Sequence, residues 1–425
     1  MCINKDRLLA DFEALAEIGA TVDGGITRLA LSNEDLEARA WFADRIDSAG
    51  LFVRDDDVGN LSGVLFCEDT KARTLIVGSH LDSVPNGGRF DGAVGVLAAL
   101  ECARVIQENS IRLPLHLEII DFTDEEGCWQ SLFGSRGLTG RLDMTHTADR
   151  NIDQAPFRAA LFRAGIRPAD AYNARRDPST IAGYLELHIE QGYRLDRLGV
   201  DIGVVTGIVG RSTYHVTFHG RASHSGTTEI SERRDALLGA SSFICKAHQV
   251  WLERYPEGVF NCGNAVVSPG AFNVIPDETL LTVEVRHFDA DVLSEMETVF
   301  LDMAREEAER YNLTLDTHRV SHFPAAPMAA RMVEAVTAVC QREDIAHTPL
   351  VSYAGHDAQM MAGFTDSGMI FIPSVGGISH SPQEFTHWEQ VVQGANVLLQ
   401  TILFLAQSPR NEPVTAGAYN GSASG

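Results

Sequence analysis

Short, strongly apolar runs alternate along this chain with longer stretches in which apolar residues recur every three or four positions. Residues 5–20 and 32–50 carry the helical spacing. The second opens on Ser32-Asn33-Glu34-Asp35, a capping residue and an acidic first turn. Gly24 to Arg28 reads as the loop between them, and strands are predicted near 51–55 and 61–67. Leu75 to Val77 starts a buried strand over 74–79, which gives way to Gly87-Gly88 and Asp91-Gly92. Residues 93–108 are almost wholly apolar in their first turns, so a helix packed on a sheet is expected. Leu115 to Phe122 is a further strand, ending in Thr123-Asp124-Glu125-Glu126-Gly127. Strand, helix and strand make a crossover unit that brings 80–91 and 123–127 together. Residues 182–192 alternate as a strand, with His188 and Glu190 on one face and Gln191 on the other.

The texture changes near 207. A strand over 213–219, a helix over 234–251, strands at 264–268 and 280–286, a helix over 291–310 and a strand at 312–318 follow. That order is a self-contained α+β unit inserted over 209–320. The first domain, 1–208, resumes over 321–408. It does so with helices at 327–342 and 386–406, a helix opened by Gly355-His356-Asp357, and a strand from Gly368 to Pro373. The stretch 409–425 has little to bury and is expected to be a disordered tail.

Composition narrows the partners. At 425 residues two domains are the natural expectation. A net charge of −24 disfavours nucleic acid and anionic membranes. No run approaches the length of a membrane span. The opening residues read as an amphipathic helix rather than a signal peptide. Seven scattered cysteines without a CxxC fit a reducing cytosol, so a cytoplasmic location is expected.

Candidate chemistry gathers at strand exits. His80, Asp82 and Asp91 share one loop; an imidazole and a carboxylate there suit a metal, with Asp82 left to orient His80. Read alone, the loop is first an ordinary Gly- and Asp-rich turn, and the DEEG string is equally a solvated one. Acids from both strand ends sharing one place require a cation or a proton. His188 and His380 add imidazoles at two further strand exits.

In order along the chain stand GSHLDSV, NGGRFDG, TDEEG, ELHIEQG, HSGTT, AGHDA and GISHSPQE. This ordered set resembles the amidase, hydantoinase and carbamoylase branch of the dinuclear-zinc M20 peptidase-like superfamily. The branch includes N-carbamoyl-L-amino-acid hydrolases, β-ureidopropionases and allantoate amidohydrolases. The resemblance spans about residues 5–405. It implies an α/β fold: a mixed-sheet catalytic domain sandwiched by helices, with an inserted α+β lid and dimerisation domain. It implies two divalent metal ions, zinc or else manganese, cobalt or nickel. His80 and His188 would ligate one, Glu126 and His380 the other, and Asp91 would bridge them. Glu125 would be the general base, with Asp82 counted in the catalytic set. His224 would stabilise the oxyanion, reaching the site of a second subunit in an expected homodimer. Gln191, Asn273 and Arg286 match carboxylate-binding positions. Gly355, His356 and Gly377 fall in motifs expected to line the substrate. Without the family, Arg286 reads as a salt-bridged strand residue.

The expected reaction is hydrolysis of the carbamoyl C–N bond of an N-carbamoyl-L-amino acid. Allantoate or ureidoglycolate, and ordinary N-acyl amino acids, are alternative substrates. A non-catalytic binding protein on the same fold is the alternative class. The chain departs from the pattern at Ser225, Glu229 and Ile230, at Cys128-Trp129-Gln130, and at Glu284. None of these is an expected ligand.

Overall fold

The structure, a computed structural model, describes residues 1–142 and 155–407. The tail expected from 409 lies outside the described residues. Helices α1 (Lys5–Ala16) and α2 (Asn33–Ser48) precede strands β1 (Phe52–Asp55) and β2 (Leu61–Leu65). Strand β3 (Thr74–His80) leads through α3 (Ala93–Glu108) to β4 (His116–Phe122). Then come α4 (Phe133–Leu138), α5 (Ala155–Arg163), β5 (Ile181–Ile189), α6 (Arg194–Leu198) and β6 (Ile202–Ile208). A second unit follows, made of β7 (Gly210–His219), β8 (Ser223–His224), α7 (Ala236–Arg254), β9 (Val259–Ser268), β10 (Val274–Ile275), β11 (Glu278–His287), α8 (Ala290–Arg310) and β12 (Thr314–Phe323), with β8 and β10 paired in a small ladder of their own. The chain returns through β13 (Ala326–Pro327), α9 (Ala330–Arg342), β14 (His347–Ser352), α10 (Asp357–Ala362), β15 (Ser367–Ile372) and α11 (Trp388–Gln407).

The larger sheet is mixed, in the order β1-β2-β4-β3-β5-β15-β6-β13, with β14 also on β6. β4, β3, β5 and β15 run parallel at its centre. They are apolar on both sides because helices cover both sides. Residue parity divides the core. Leu75, Val77, Leu117, Ile119, Leu185 and Leu187 face α3, α9 and α11, while Ile76, Ile120, Phe122 and Tyr184 face the other way. Each such fully buried side chain contributes roughly 1.5–3 kcal/mol. The resulting α/β layers match the fold class expected from the sequence.

The smaller sheet is antiparallel, in the order β12-β7-β11-β9. Its two central strands, β7 and β11, alternate: Tyr214, Val216, Phe218, Leu281, Val283 and Val285 pack against Phe243 of α7 and Phe300 of α8. The opposite face carries Arg211, Thr213, Glu284 and Arg286. One side chain holds both connections to this unit. Gln359 of α10 donates to Val209 O at 3.1 Å and to Pro324 O at 2.9 Å.

Several elements depart from the sequence reading. The first helix stops at Ala16, ahead of Gly19 with φ 81° and the Ala20–Ile26 bridge. The strand expected over 182–192 ends at Ile189, so its alternation does not reach Glu190. Glu190 turns instead to accept from the N–H groups of Arg194 and Leu195 at 2.9 and 2.8 Å, capping α6. Strands β6 and β14 were not expected. Gly203 and Gly207 interrupt the first, and Pro349 the second. Among the described residues β14 pairs only with β6, so the missing N–H of Pro349 breaks no interior ladder. No helix among the described residues is long and apolar enough to cross a membrane.

Candidate metal centre

The strand ends fix the site. His80 is the last residue of β3, His188 sits near the end of β5, and Glu125 and Glu126 follow β4. Asp91 precedes α3, and His380 lies beyond β15 with φ 54°. Gly92, the N-cap of α3, has φ 63°, and a Cβ there would stand 2.5 Å from the His80 ring. Only glycine therefore lets the helix start against that imidazole. Glu384 accepts from the N–H groups of Phe90 and Asp91, both at 3.1 Å, and so pins the loop that presents Asp91. The buried Arg28 guanidinium holds the other side by donating to Leu81 O at 2.6 Å.

Asp91 stands between two groups of ligand types. Its Oδ1 is 3.2 Å from His188 Nε2 and 3.8 Å from His80 Nε2. Its Oδ2 is 3.2 Å from His380 Nε2, which lies 3.5 Å from Glu126 Oε2. His80, Asp91 and His188 thus form one cluster of metal-ligand type, and Asp91, Glu126 and His380 another. Both inner imidazoles are set for ligation. His80 Nδ1 meets Asp82 O at 3.0 Å, and His188 Nδ1 meets Ile189 O at 2.9 Å. With the proton held on Nδ1, each Nε2 lone pair is turned toward Asp91, that of His188 also meeting the Gly92 N–H at 3.3 Å. Glu126 Oε1 is buried without a hydrogen-bond partner. An orphaned carboxylate oxygen and imidazole nitrogens turned into an acidic cluster are donors that a divalent cation would satisfy.

The electrostatics point the same way. Burial, then Glu126, Asp357, Asp82 and Asp91, raise Glu125 well above the usual carboxylate range. Burial and Asp91 push Glu126 up to about 8. Burial opposes a charge on His188, but the Asp91 contact and Glu186 outweigh it and raise the imidazole to about 9. Hydrogen bonding to Asp91 raises His380 to about 9 against its burial. Burial holds His80 down at about 4. Without metal, protons on the carboxyls, His188 and His380 relieve the crowding of acids. Metal binding would displace them.

The sequence signature of Peptidase family M20/M25/M40 matches residues 76–403. The chain belongs to this peptidase family. Among its M20 relatives, the N-carbamoyl-L-amino acid amidohydrolase of Geobacillus stearothermophilus is 35% identical over 407 residues, covering 95% of this chain and 99% of that one. The allantoate amidohydrolase of Bacillus subtilis (strain 168) is 32% identical, covering 95% and 98%. The crystal structure of an amidase of the hydantoinase/carbamoylase family from Burkholderia multivorans superposes with a TM-score of 0.85 at 33% identity, covering 96% and 99%.

The remaining sequence-predicted positions of this M20 member divide into three groups. Gln191 joins the cluster: its φ of 54° turns the side chain in, and Nε2 donates to Asp91 Oδ2 at 2.8 Å. His356 lies beneath His188, ring centroids 4.5 Å apart, and Ser352 Oγ is 3.0 Å from its Nε2. Gly355 precedes it at the mouth of α10, and Gly377 packs against Tyr193. Asp82 holds both His80 and the glutamate loop. Its carbonyl meets His80 Nδ1 at 3.0 Å and its Oδ1 lies 3.6 Å from the same nitrogen, while the carboxylate accepts from Glu125 N and Glu126 N, both at 3.2 Å. The third group stands apart. His224 sits exposed on β8 and Asn273 exposed in the turn before β10, where Ser225 N donates to Asn273 O, and the side-chain contact of His224 is local. Arg286 bonds Glu284 at 2.7 Å and also donates to Tyr353 O.

The sequence reading missed Glu384 and Arg28 as loop-holding residues, although GISHSPQE contained the first. It also left Trp129 as a bare departure. Its indole stacks on Phe157 at 5.5 Å and donates to Ala30 O at 2.9 Å, while the backbone N–H of Trp129 donates to Asp124 Oδ2 at 3.1 Å. It anchors the loop that presents Glu125 and Glu126.

Proposed function

We propose that the protein is a binuclear metal-dependent amidohydrolase that cleaves the carbamoyl C–N bond of N-carbamoyl-L-amino acids, releasing the amino acid, carbon dioxide and ammonia. The observation that carries this reading is the Asp91 carboxylate placed between two ligand groups, with Glu125 Oε2 3.7 Å from His80 Nε2. His80 and His188 would hold one ion, Glu126 and His380 the other, and Asp91 both. The oxygen and imidazole donors suit zinc, manganese, cobalt or nickel, and no thiolate takes part. Two such ions, when bound, polarise the substrate carbonyl and make water more acidic.

The chain's own residues do the rest. Glu125 accepts the proton of the attacking water and returns it to the leaving nitrogen. Asp82 keeps the two glutamates in register through their N–H groups. Arg286, Asn273 and Gln191 are read as contacts for the substrate carboxylate, with Gly355, His356 and Gly377 shaping the wall. Residues 209–320 are read as the lid inserted between 1–208 and 321–408. Its β9 is an edge strand, and α7 exposes Leu238 and Leu252, which favours a homodimer built through this unit. In such a dimer the exposed His224 would stabilise the tetrahedral oxyanion in the partner's site. Its exposure, with Nδ1 held only by the Gly226 N–H among the described residues, supports that assignment.

The allantoate relative keeps a second ureido substrate in view. A metal-reconstituted activity panel tests both. It should compare N-carbamoyl-L-amino acids, N-carbamoyl-β-alanine, allantoate, ureidoglycolate, and N-acetyl and N-formyl amino acids. Highest kcat/KM on an N-carbamoyl-L-amino acid is expected; turnover of the N-acyl compounds alone would refute the carbamoyl reading.

A further inference from the structure

Arg286 is not the most available cation on the open face of the smaller sheet. Its Nε is taken by Glu284 at 2.7 Å and its Nη1 by the carbonyl of Tyr353. Directly across the β7–β11 ladder stands Arg211, in register with Arg286. The two side chains share one sheet face, since Gly210 and Ser212 turn the other way into the core. Like charges opposite each other on a sheet destabilise it. Glu284 offsets one of the two charges, which leaves one.

Arg211 is half-buried, and its guanidinium carbon lies 5.0 Å from the Phe323 ring centroid. Among the described residues it makes no hydrogen bond or ion pair. Burial and then Arg286 disfavour its charge, while Glu284 and Glu125 favour it. Arg286 beside it reaches the carbonyl of Tyr353, three residues before the His356 that packs on His188, so the arginine pair lies on the side of the sheet that faces the metal centre. A fork of unspent N–H donors, steadied by an aromatic ring beside a second arginine, matches the planar shape of a carboxylate.

We propose that Arg211 is a specificity-determining residue that receives the substrate carboxylate on its free fork, together with Nη2 of Arg286. The inference rests on the proposed function, which requires a substrate bearing a carboxylate. It assigns the main part of that contact to a residue outside the motif set, and it gives Arg286 the supporting part. One carboxylate balances the one uncompensated charge, so an α-carboxylate acid should bind and its carboxamide should bind weakly.

The test measures binding by calorimetry in the metal-loaded Glu125→Gln protein, so that the ligand is not consumed. The probes are N-carbamoyl-L-alanine and N-carbamoyl-L-alaninamide. Adding Arg211→Gln should weaken the acid about 10- to 150-fold and leave the carboxamide within about twofold. Arg211→Lys, which keeps the charge but loses the fork, should recover part of that loss. Thermal melting checks that both variants are folded. Equal weakening of acid and carboxamide, an acid affinity indifferent to both substitutions, or a parent protein that binds neither probe would overturn the assignment. The proposed reaction can fail separately. Acid binding that depends on Arg211, in a protein whose Glu125-intact form turns over no ureido substrate, would sink the reaction and leave the carboxylate contact standing.

Discussion

Replacing Glu125 with glutamine removes a proton acceptor and almost nothing else. The side chain keeps its volume, its backbone N–H still meets Asp82, and its carbonyl still accepts from Leu132 N and Ser131 Oγ. Loss of general acid–base catalysis costs about 10²–10⁴ in rate, equivalent to about 2.7–5.4 kcal/mol of barrier. The fall should appear in kcat at saturating metal, with metal content unchanged. The same substitution should have the opposite sign for stability once metal is removed. Glu125 is raised in the folded protein, first by burial and then by Glu126, Asp357, Asp82 and Asp91. Above the unfolded carboxyl value the folded state therefore retains a proton that the unfolded chain has released, and stability falls as pH rises. Glutamine carries no such penalty. In a chelator at pH 8, Glu125→Gln should melt above the wild type. A kcat within threefold of wild type at full metal occupancy would refute the assignment of the base. A lower melting point in the metal-free variant would refute the claim that the acids crowd one another.

Asp91→Ala should empty at least one metal position, since both of its oxygens face imidazoles; elemental analysis finding two tightly held ions and unchanged turnover would contradict this. The metal-free protein should lose stability between about pH 6.5 and 9. His188 and His380, both raised to about 9, give up their favourable protons there, and Glu126, raised to about 8, ionises. Chelator melts across that range should fall steadily while metal-loaded melts fall less, and a flat metal-free profile would count against the proton-filled site. Mixing His224→Ala with Glu125→Gln under subunit exchange should restore activity, about half of wild type per mixed dimer. Each mixed dimer would have one site with both groups intact, and verified exchange without recovery would place His224 in its own subunit.

Legibility in the sequence followed the strength of local signals. The buried parallel strands and α3 announce themselves as apolar runs, and their ends locate His80, Asp91, Glu126 and His188. His380 was legible as an imidazole at a strand exit. Period-two reasoning failed at Glu190, because no pattern marks where β5 yields to a turn. Gln191 reaches Asp91 only because its backbone takes a positive φ, which residue type does not announce. Pro349 hid β14, since a strand's place at a sheet margin is a tertiary fact. Arg28 and Glu384 hold loops more than fifty residues away in sequence, and Trp129 ties its own loop to Ala30, likewise distant. Arg211 looked like any arginine on an amphipathic strand; its lack of a partner emerges only once its neighbours are known.

Gln359 bears on how such a molecule could be assembled and taken apart. By holding Val209 O and Pro324 O with one amide group, it fixes the chain's departure from the larger sheet beside its return. Two cut points that one side chain can span can be rejoined by a linker of a few residues. The 210–323 segment is thus topologically a plug, removable without rethreading any strand of the nine-stranded sheet. A chain built this way can exchange its inserted unit while the larger sheet stays intact. New substrate preferences could then arrive as a replaced cassette rather than by gradual change within the metal-bearing scaffold.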